Sequence, residues 1–153
     1  MGSFAVQLAK WKGAHVIGTA STRNQAFLPQ LGVDEPIDYE KTRFEDVAHD
    51  VDVVFDPIGG DTQKRSSKTL KKGGVLVSIV GPPSEEEAKK HGVRSAFLSA
   101  QGGSSLLAEL ATLVDSGKIK PMVEKVLPLS EARQAHELNE TGHARGKIVL
   151  KVA

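Results

Sequence analysis

The chain has 153 residues, with 20 basic against 19 acidic side chains and no cysteine, and this length suits one ordinary domain. A net charge of +1 gives no bulk attraction to nucleic acid or to anionic lipid. The lack of cysteine excludes disulfides, thiol nucleophiles and cysteine-based zinc sites from this sequence. No apolar run is long enough to span a membrane, and the first residues lack the pattern of a signal peptide. We therefore expect a cytoplasmic protein with a single domain over residues 1–153.

Helical patterns recur along the chain. Apolar residues at helical spacing predict a helix over Gly2–Lys12, which Gly13 ends. A serine or threonine three residues before a glutamate is typical of a helix start, and this spacing predicts short helices that begin at Thr42 and Ser84. Ser130 is expected to cap the last helix. The longer helices are predicted at Ser21–Leu31, Asp61–Lys72, Leu106–Val114 and Ser130–Glu140.

Short apolar runs between the helices predict strands. The clearest are Val51–Asp56 and Val75–Val80, which are apolar enough to be buried on both faces of a sheet. Gly73 and Gly74 are interpreted as the turn before the second of these. The other predicted strands are His15–Ala20, Glu35–Tyr39, Val93–Ala100, Met122–Leu127 and Gly146–Val152. Strands that alternate with helices favour an α/β fold with a doubly wound parallel sheet, in which ligands bind at the carboxyl ends of the strands.

The end of the first strand carries a candidate phosphate site. Sites for NAD usually place an acidic residue here, to accept a hydrogen bond from the ribose 2′-hydroxyl, and no acid lies between Gly18 and Asn24. Ser21 and Thr22 can donate hydroxyl hydrogen bonds, and Arg23 supplies a guanidinium that suits a 2′-phosphate. This chemistry fits NADP(H) better than NAD(H). If this segment is considered by itself, the more common interpretation is that the polar residues cap a surface helix and that the arginine is solvated.

Two further strand ends contain glycines. Asp56 ends one strand, and Gly59 and Gly60 follow it before a predicted helix, so a ligand can approach the backbone closely there. Asp56 can bind a sugar or can simply cap the helix, which is the more common use. At the next strand end, Gly81 leaves room for a flat ring, although an ordinary turn explains it equally well.

Other candidate sites are weaker. The five histidines are scattered and contain no pair at helical ligand spacing, so no metal site is predicted. The basic residues within Asp61–Lys72 are interpreted as a solvated helix face, because a nucleic-acid site also needs interleaved aromatic residues. No nucleophile elbow and no phosphate-binding Walker sequence occurs. The sequence patterns therefore identify no catalytic side chain.

Six segments taken in order give a resemblance. The segments are Gly2–Lys10, Gly18–Ser21, Leu31–Tyr39, Asp52–Gly60, Leu70–Val77 and Gly142–Leu150. Together they resemble the cofactor-binding half of the zinc-independent medium-chain dehydrogenases/reductases, in their quinone oxidoreductase-like branch. The resemblance extends over essentially the whole chain. It implies a Rossmann-like domain that binds NADP(H) in an enzyme that reduces quinones or activated alkenes and carbonyls by hydride transfer.

The resemblance also implies roles for particular residues. Ser21 and Arg23 would hold the 2′-phosphate, and Gly2 matches the last glycine of the family's phosphate-binding fingerprint. The remaining residues would line the cofactor and the active cleft: Asp56, Gly59, Gly60, Val80, Gly81, Phe97 and Ser99. Because the strand at Val93–Ala100 is commonly the pairing edge in this family, a homodimer is expected, with a small quinone or enone as substrate and no nucleic-acid or membrane partner.

The sequence departs from the family pattern at its start. Family members place a strand, a glycine-rich turn and a GroES-like catalytic domain before the helix that opens this chain. We therefore expect a sheet that lacks a strand between His15–Ala20 and Val51–Asp56, with two exposed edges, and a fragment that is inactive alone. The alternative is a non-catalytic module that keeps the fold and self-associates or binds a partner. A methyltransferase ranks last, because Ala20 and Ser21 offer no acid for ribose hydroxyls.

Overall fold

The computed structural model describes residues 1–99, 103–142 and 144–152. Its helices are α1 (Gly2–Trp11), α2 (Leu28–Leu31), α3 (Gly60–Ser66), α4 (Glu85–His91), α5 (Ser104–Asp115) and α6 (Ala132–Glu140). Its strands are β1 (Ile17–Ala20), β2 (Glu35–Asp38), β3 (Val51–Asp56), β4 (Leu70–Ser78), β5 (Arg94–Phe97), β6 (Val123–Pro128) and β7 (Lys147–Lys151). Short 3₁₀ turns lie at Thr22–Phe27, Phe44–Asp46 and Leu129–Glu131.

Every strand pair is parallel, which confirms the predicted α/β class. β1 pairs with β2, β4 lies between β3 and β5, and β6 pairs with β7. The chain separates into two compact units, Met1–Leu107 and Ala108–Ala153. The first unit contains the β1–β2 pair and the three-stranded sheet, and the second contains the β6–β7 pair. That all 153 residues form a single domain stays a prediction.

The first unit has unpaired strand edges. Among the residues that the structure describes, no strand pairs with the second edge of β1 or of β3. This agrees with the expectation that no strand of this chain lies between them. Val53 and Phe55 on β3 keep 55% and 36% of their surface exposed, although strands of a parallel sheet are usually covered on both faces.

The core of the three-stranded sheet lies on its other face. Leu70 and Leu76 of β4 pack with Ala88 of α4 and with Val93, just before β5. Leu76 is almost completely buried, and burial of such a side chain contributes about 1.5–3 kcal/mol. Ser84 caps α4 by accepting a hydrogen bond from the Glu87 N–H at 3.2 Å, as its spacing predicted. This packing holds β3 and β4 side by side, so that their carboxyl ends lie together.

The prediction of one long helix over Asp61–Lys72 was wrong. α3 ends at Ser66, and β4 already begins at Leu70. Gly73 and Gly74 do not form a turn before the strand but lie in an irregular stretch within it, where the pairing register shifts. The glycines allow this because Gly73 has a φ of +76° and because a Cβ at Gly74 would stand 2.9 Å from a backbone oxygen. The predicted basic helix face is therefore divided between a helix and a strand.

Two predicted helix caps were also wrong. Arg43, not Thr42, precedes the turn at Phe44–Asp46, and no side chain caps that turn. Ser130 lies inside the turn at Leu129–Glu131, so it does not cap α6. The predicted helix over Ser21–Leu31 divides into a 3₁₀ turn and the short α2, because Pro29 provides no N–H for a continuous helix.

A buried carboxylate, Glu45, links α3 to the 3₁₀ turn at Phe44–Asp46. The Glu45 side chain is only 3% exposed and accepts hydrogen bonds from Arg43 at 2.8 Å and from Arg65 of α3 at 3.0 Å. The Arg65 guanidinium also lies 4.9 Å from the centre of the Phe44 ring. Burial alone would raise the pKa of Glu45, but its hydrogen bonds and the two arginines lower this pKa to about 2. Glu45 is therefore ionised at neutral pH and holds α3 in place.

Candidate functional site

The carboxyl ends of β3 and β4 form a connected polar site around Asp56. Asp56 is 3% exposed. Its Oδ1 accepts hydrogen bonds from the N–H groups of Ile58 at 3.0 Å and Gly59 at 2.8 Å. Its Oδ2 accepts one from the Gln63 amide at 2.9 Å. Asp56 thus holds the turn after β3 in place, and both of its carboxylate oxygens accept hydrogen bonds from groups of the protein.

The charge on Asp56 is stabilised from several directions. Burial would raise its pKa, but the N–H groups of Gly59 and Ile58, with the Gln63 amide and the Ser78 hydroxyl, outweigh burial and lower the pKa. Ser78, which is fully buried, also accepts a hydrogen bond from the Val80 N–H at 3.3 Å. The ends of β3 and β4 therefore share one hydrogen-bonded network.

The same strand ends carry four of the predicted site residues: Gly59, Gly60, Val80 and Gly81. Gly59 has φ +80° and ψ −164°, a conformation that only glycine adopts readily. A Cβ at Gly59 would stand 2.9 Å from Val80 Cγ2, whereas a Cβ at Gly60 or Gly81 would meet no atom within 4 Å. The Val80 side chain is exposed and the space over Gly60 and Gly81 is open, so these strand ends present bare backbone, which we call the glycine cradle.

The end of β5 adjoins this cradle. Phe97 pairs with Ser78 across the sheet, and the Leu98 N–H donates to the Ser78 carbonyl at 3.0 Å. Phe97 and Ser99 are both exposed. The structure thus brings Asp56, Gly59, Gly60, Val80, Gly81 and Phe97 to neighbouring strand ends, with Ser99 two residues beyond. Ala100, the last residue of the predicted strand, lies outside the described residues.

The end of β1 holds the other predicted residues. Ser21 is buried, and its hydroxyl oxygen accepts a hydrogen bond from the Asn24 amide at 3.2 Å, so its hydroxyl hydrogen can still be donated. Arg23 is exposed, and its side chain makes no hydrogen bond or ion pair with any residue that the structure describes. Gly2 is exposed at the start of α1, with open space where a Cβ would stand.

Sequence reasoning missed two carboxylates beside this turn. The Thr22 hydroxyl donates to Asp38 at 2.6 Å, and the Thr22 N–H donates to Glu40 at 2.9 Å. Thr22 was expected to donate to a phosphate, but its hydroxyl is already used. The hydrogen bond from Thr22 is the main cause of a lowered pKa for Asp38. No sequence spacing reveals this contact, because parallel pairing of β1 with β2 creates it.

The fold and the site define a class: a parallel α/β protein with a glycine-lined cradle at its strand ends, where such folds bind ligands. A family model described as zinc-binding dehydrogenase matches residues 31–150. The chain belongs to this family, within the medium-chain dehydrogenases/reductases, as the sequence resemblance indicated.

Individual relatives and structures are also similar to the chain. The mitochondrial NAD(P)H oxidoreductase RTN4IP1 of Mus musculus is 35% identical over 99% of this chain and 45% of its own length. The chloroplastic NADPH-dependent alkenal/one oxidoreductase of Arabidopsis thaliana is 36% identical over 98% of this chain and 37% of its own. The solved quinone oxidoreductase of Coxiella burnetii is 42% identical with a TM-score of 0.90, over 99% of this chain and 49% of its own. The chain thus spans half or less of the length of these proteins.

The family description mentions zinc, which the residues of this chain do not fit. The sequence contains no cysteine, and no group of three histidine, aspartate or glutamate side chains within the described ranges can hold a metal ion. We therefore assign no step to a metal. In the described part of the chain, no helix is both long and apolar enough to cross a bilayer.

Proposed function

We propose that this chain is the NADP(H)-binding part of an oxidoreductase that reduces quinones or activated alkenes and carbonyls. The observation that carries the proposal is the glycine cradle at the ends of β3 and β4, where Gly59, Gly60 and Gly81 leave bare backbone beside a buried Asp56. The related proteins named above support it, because they are named for NAD(P)H, NADPH and quinones.

The cradle is suited to a flat, partly apolar ring. When bound, NADPH would supply the hydride in such an enzyme. Gly59 and Gly60 would contact the middle of the cofactor, while Val80 and Gly81 would flank its nicotinamide end. Phe97 and Ser99 would border the cleft from β5. Asp56 would act through the backbone that it orders, because its carboxylate oxygens are occupied. No described side chain is assigned a proton-transfer role.

The turn after β1 would bind the 2′-phosphate. Arg23 would donate from a guanidinium that has no described protein partner, and Ser21 would donate its hydroxyl hydrogen. The carboxylates of Asp38 and Glu40 are engaged by Thr22, which shapes the turn. Since both carboxylates repel a phosphate, the cation at Arg23 is needed to offset them. Gly2 would lie near the pyrophosphate, as the resemblance implies.

Assembly and location are proposed as well. Within the described residues, β5 pairs only with β4, so its second edge is available for pairing with a second copy of the chain. A homodimer through Arg94–Phe97 would cover this edge. We propose a cytoplasmic location and no nucleic-acid or membrane partner. The two curated relatives are named as mitochondrial and chloroplastic proteins.

Titration of the protein with NADPH, followed by cofactor fluorescence, tests the proposal. A Cβ at Gly81 would meet no protein atom within 4 Å, so Gly81→Val should fold normally but occupy the space of the ring. We expect it to weaken NADPH binding about tenfold or more. Ala14→Val, at the amino end of β1, is the matched control and should bind as the wild type does. No NADPH binding by the wild type would refute the proposal.

A non-catalytic module that self-associates is the second candidate. The exposed Val53 and Phe55 on β3 favour it, because an open apolar edge strand pairs readily with another chain. Sedimentation would then show a stable dimer with no affinity for NADPH. A species that binds NADPH would contradict this candidate.

A further inference from the structure

Gln63 joins three segments of the candidate cofactor site. Its side-chain nitrogen donates to Asp56 Oδ2 at 2.9 Å and to the Gly81 carbonyl at 3.1 Å. Its backbone N–H donates to the Gly59 carbonyl at 3.3 Å. One residue of α3 therefore contacts the end of β3, the glycine turn after it and the segment after β4.

The chemistry of this contact requires an amide. Both partners of the side-chain nitrogen are acceptors, an ionised carboxylate and a carbonyl, so they need a group with two N–H donors. A carboxylic acid has at most one hydrogen to donate, and a thioether has none. Among uncharged side chains of this length, glutamine alone supplies both hydrogen bonds.

We infer that Gln63 is a positioning residue for the cofactor, one that holds the Gly59–Gly60 backbone and the Val80–Gly81 backbone at a fixed separation. This inference rests on the proposed function, because the cofactor would lie across these two segments. No other side-chain hydrogen bond in the described residues joins Asp56 to Gly81. The Ile79 N–H still donates to the Asp56 carbonyl at 3.2 Å and keeps the strand ends paired. Without the bridge, however, the Gly81 carbonyl loses its link to Asp56, and binding must restore the position of the Val80–Gly81 backbone.

The test uses three variants of the chain and titration with NADP⁺, which is stable in acid. Gln63→Met keeps the length of the side chain but removes both donors. Gln63→Glu presents a second carboxylate to Asp56 at pH 7.5. Because the like charge of Asp56 raises the pKa of the introduced carboxyl, lowering the pH to 5.5 protonates more of it, and this form can donate one hydrogen bond. Lys64→Met is the control on the exposed side of α3, where Lys64 pairs with the exposed Asp61 and with no other described residue. Each affinity is expressed relative to the wild type at the same pH.

We expect Gln63→Met to bind about tenfold more weakly than the wild type at both pH values. Gln63→Glu should bind as weakly at pH 7.5 and recover at least about threefold at pH 5.5, a recovery that a purely packing role would not produce. Lys64→Met should match the wild type. If Gln63→Met fails to fold, the recovery of Gln63→Glu decides the question.

Two results separate the possible failures. If the wild type binds NADP⁺ and Gln63→Met binds equally well, or if Gln63→Glu gains nothing at pH 5.5, then the role of Gln63 is refuted and the proposed function stands. If the wild type binds no NADP⁺, then the proposed function is refuted and the role of Gln63 falls with it.

Discussion

Gly59 is the position where one added methyl group should cost most within the cradle. Its φ of +80° and ψ of −164° lie in a region that is almost restricted to glycine, and a non-glycine residue there costs about 1–3 kcal/mol. The new Cβ would also stand 2.9 Å from Val80 Cγ2. Because Val80 is about half exposed, it can rotate away, and this contact should add at most about 1 kcal/mol. We therefore expect Gly59→Ala to lower the free energy of unfolding by about 1–4 kcal/mol.

Gly60 supplies a matched control for this substitution. Its φ of +58° is also positive, but a Cβ there would meet nothing within 4 Å, so Gly60→Ala should cost about 1 kcal/mol. Urea denaturation of the two variants measures the difference. The double variant Gly59→Ala/Val80→Ala should recover only the contact contribution, not the backbone strain. The reasoning is refuted if Gly59→Ala is as stable as the wild type, or if Gly60→Ala is the more damaging change.

Two other substitutions test the framework around the site. The folded pKa of Glu45, about 2, lies below its ordinary value, so its stabilising contribution is complete above about pH 4.5 and is lost as the pH falls towards 2. Glu45→Gln should cost about 1–2 kcal/mol at pH 7 and should flatten the acid limb of the stability curve; parallel curves for the two proteins would contradict this. At Gly18, a Cβ would stand 2.9 Å from the buried Val33 side chain, so Gly18→Ala should lower the free energy of unfolding by about 1–3 kcal/mol. A Gly18→Ala variant with an unchanged urea midpoint would show that Val33 moves freely.

The sequence alone predicted those features whose cause is local. Val51–Asp56 is a mostly apolar segment, interrupted only by Asp52, and Gly59 and Gly60 follow soon after it. It is the strand that the structure shows, with the same bounds. Ser84 caps α4 because serine and Glu87 stand three residues apart. Local spacing failed at Gly73 and Gly74, where a glycine pair typical of a turn forms an irregularity within β4. There the pairing of β4 with β3 overrides the local preference.

The contacts that shape the site are the part that spacing could not reveal. Asp38 and Glu40 reach Thr22 only because β2 pairs with β1. Gln63 bridges Asp56 and Gly81, and Gly81 lies 18 residues after Gln63 in the chain. Each contact depends on which strands become neighbours and on the direction of a side chain. A pattern of residue types along one chain does not contain either piece of information.

The discrimination between NADPH and NADH tests the central claim most directly. Calorimetric titration of the wild type, Arg23→Ala and Lys72→Ala with each cofactor gives the three affinity ratios. Lys72 is a matched charge control, because it lies near the amino end of β4, away from the candidate site at the carboxyl ends of the strands. We predict that the wild type binds NADPH more tightly, that Arg23→Ala loses about tenfold in NADPH affinity with little change for NADH, and that Lys72→Ala keeps the wild-type ratio. Equal affinities in the wild type, or an equal loss for both cofactors in Arg23→Ala, would contradict the account.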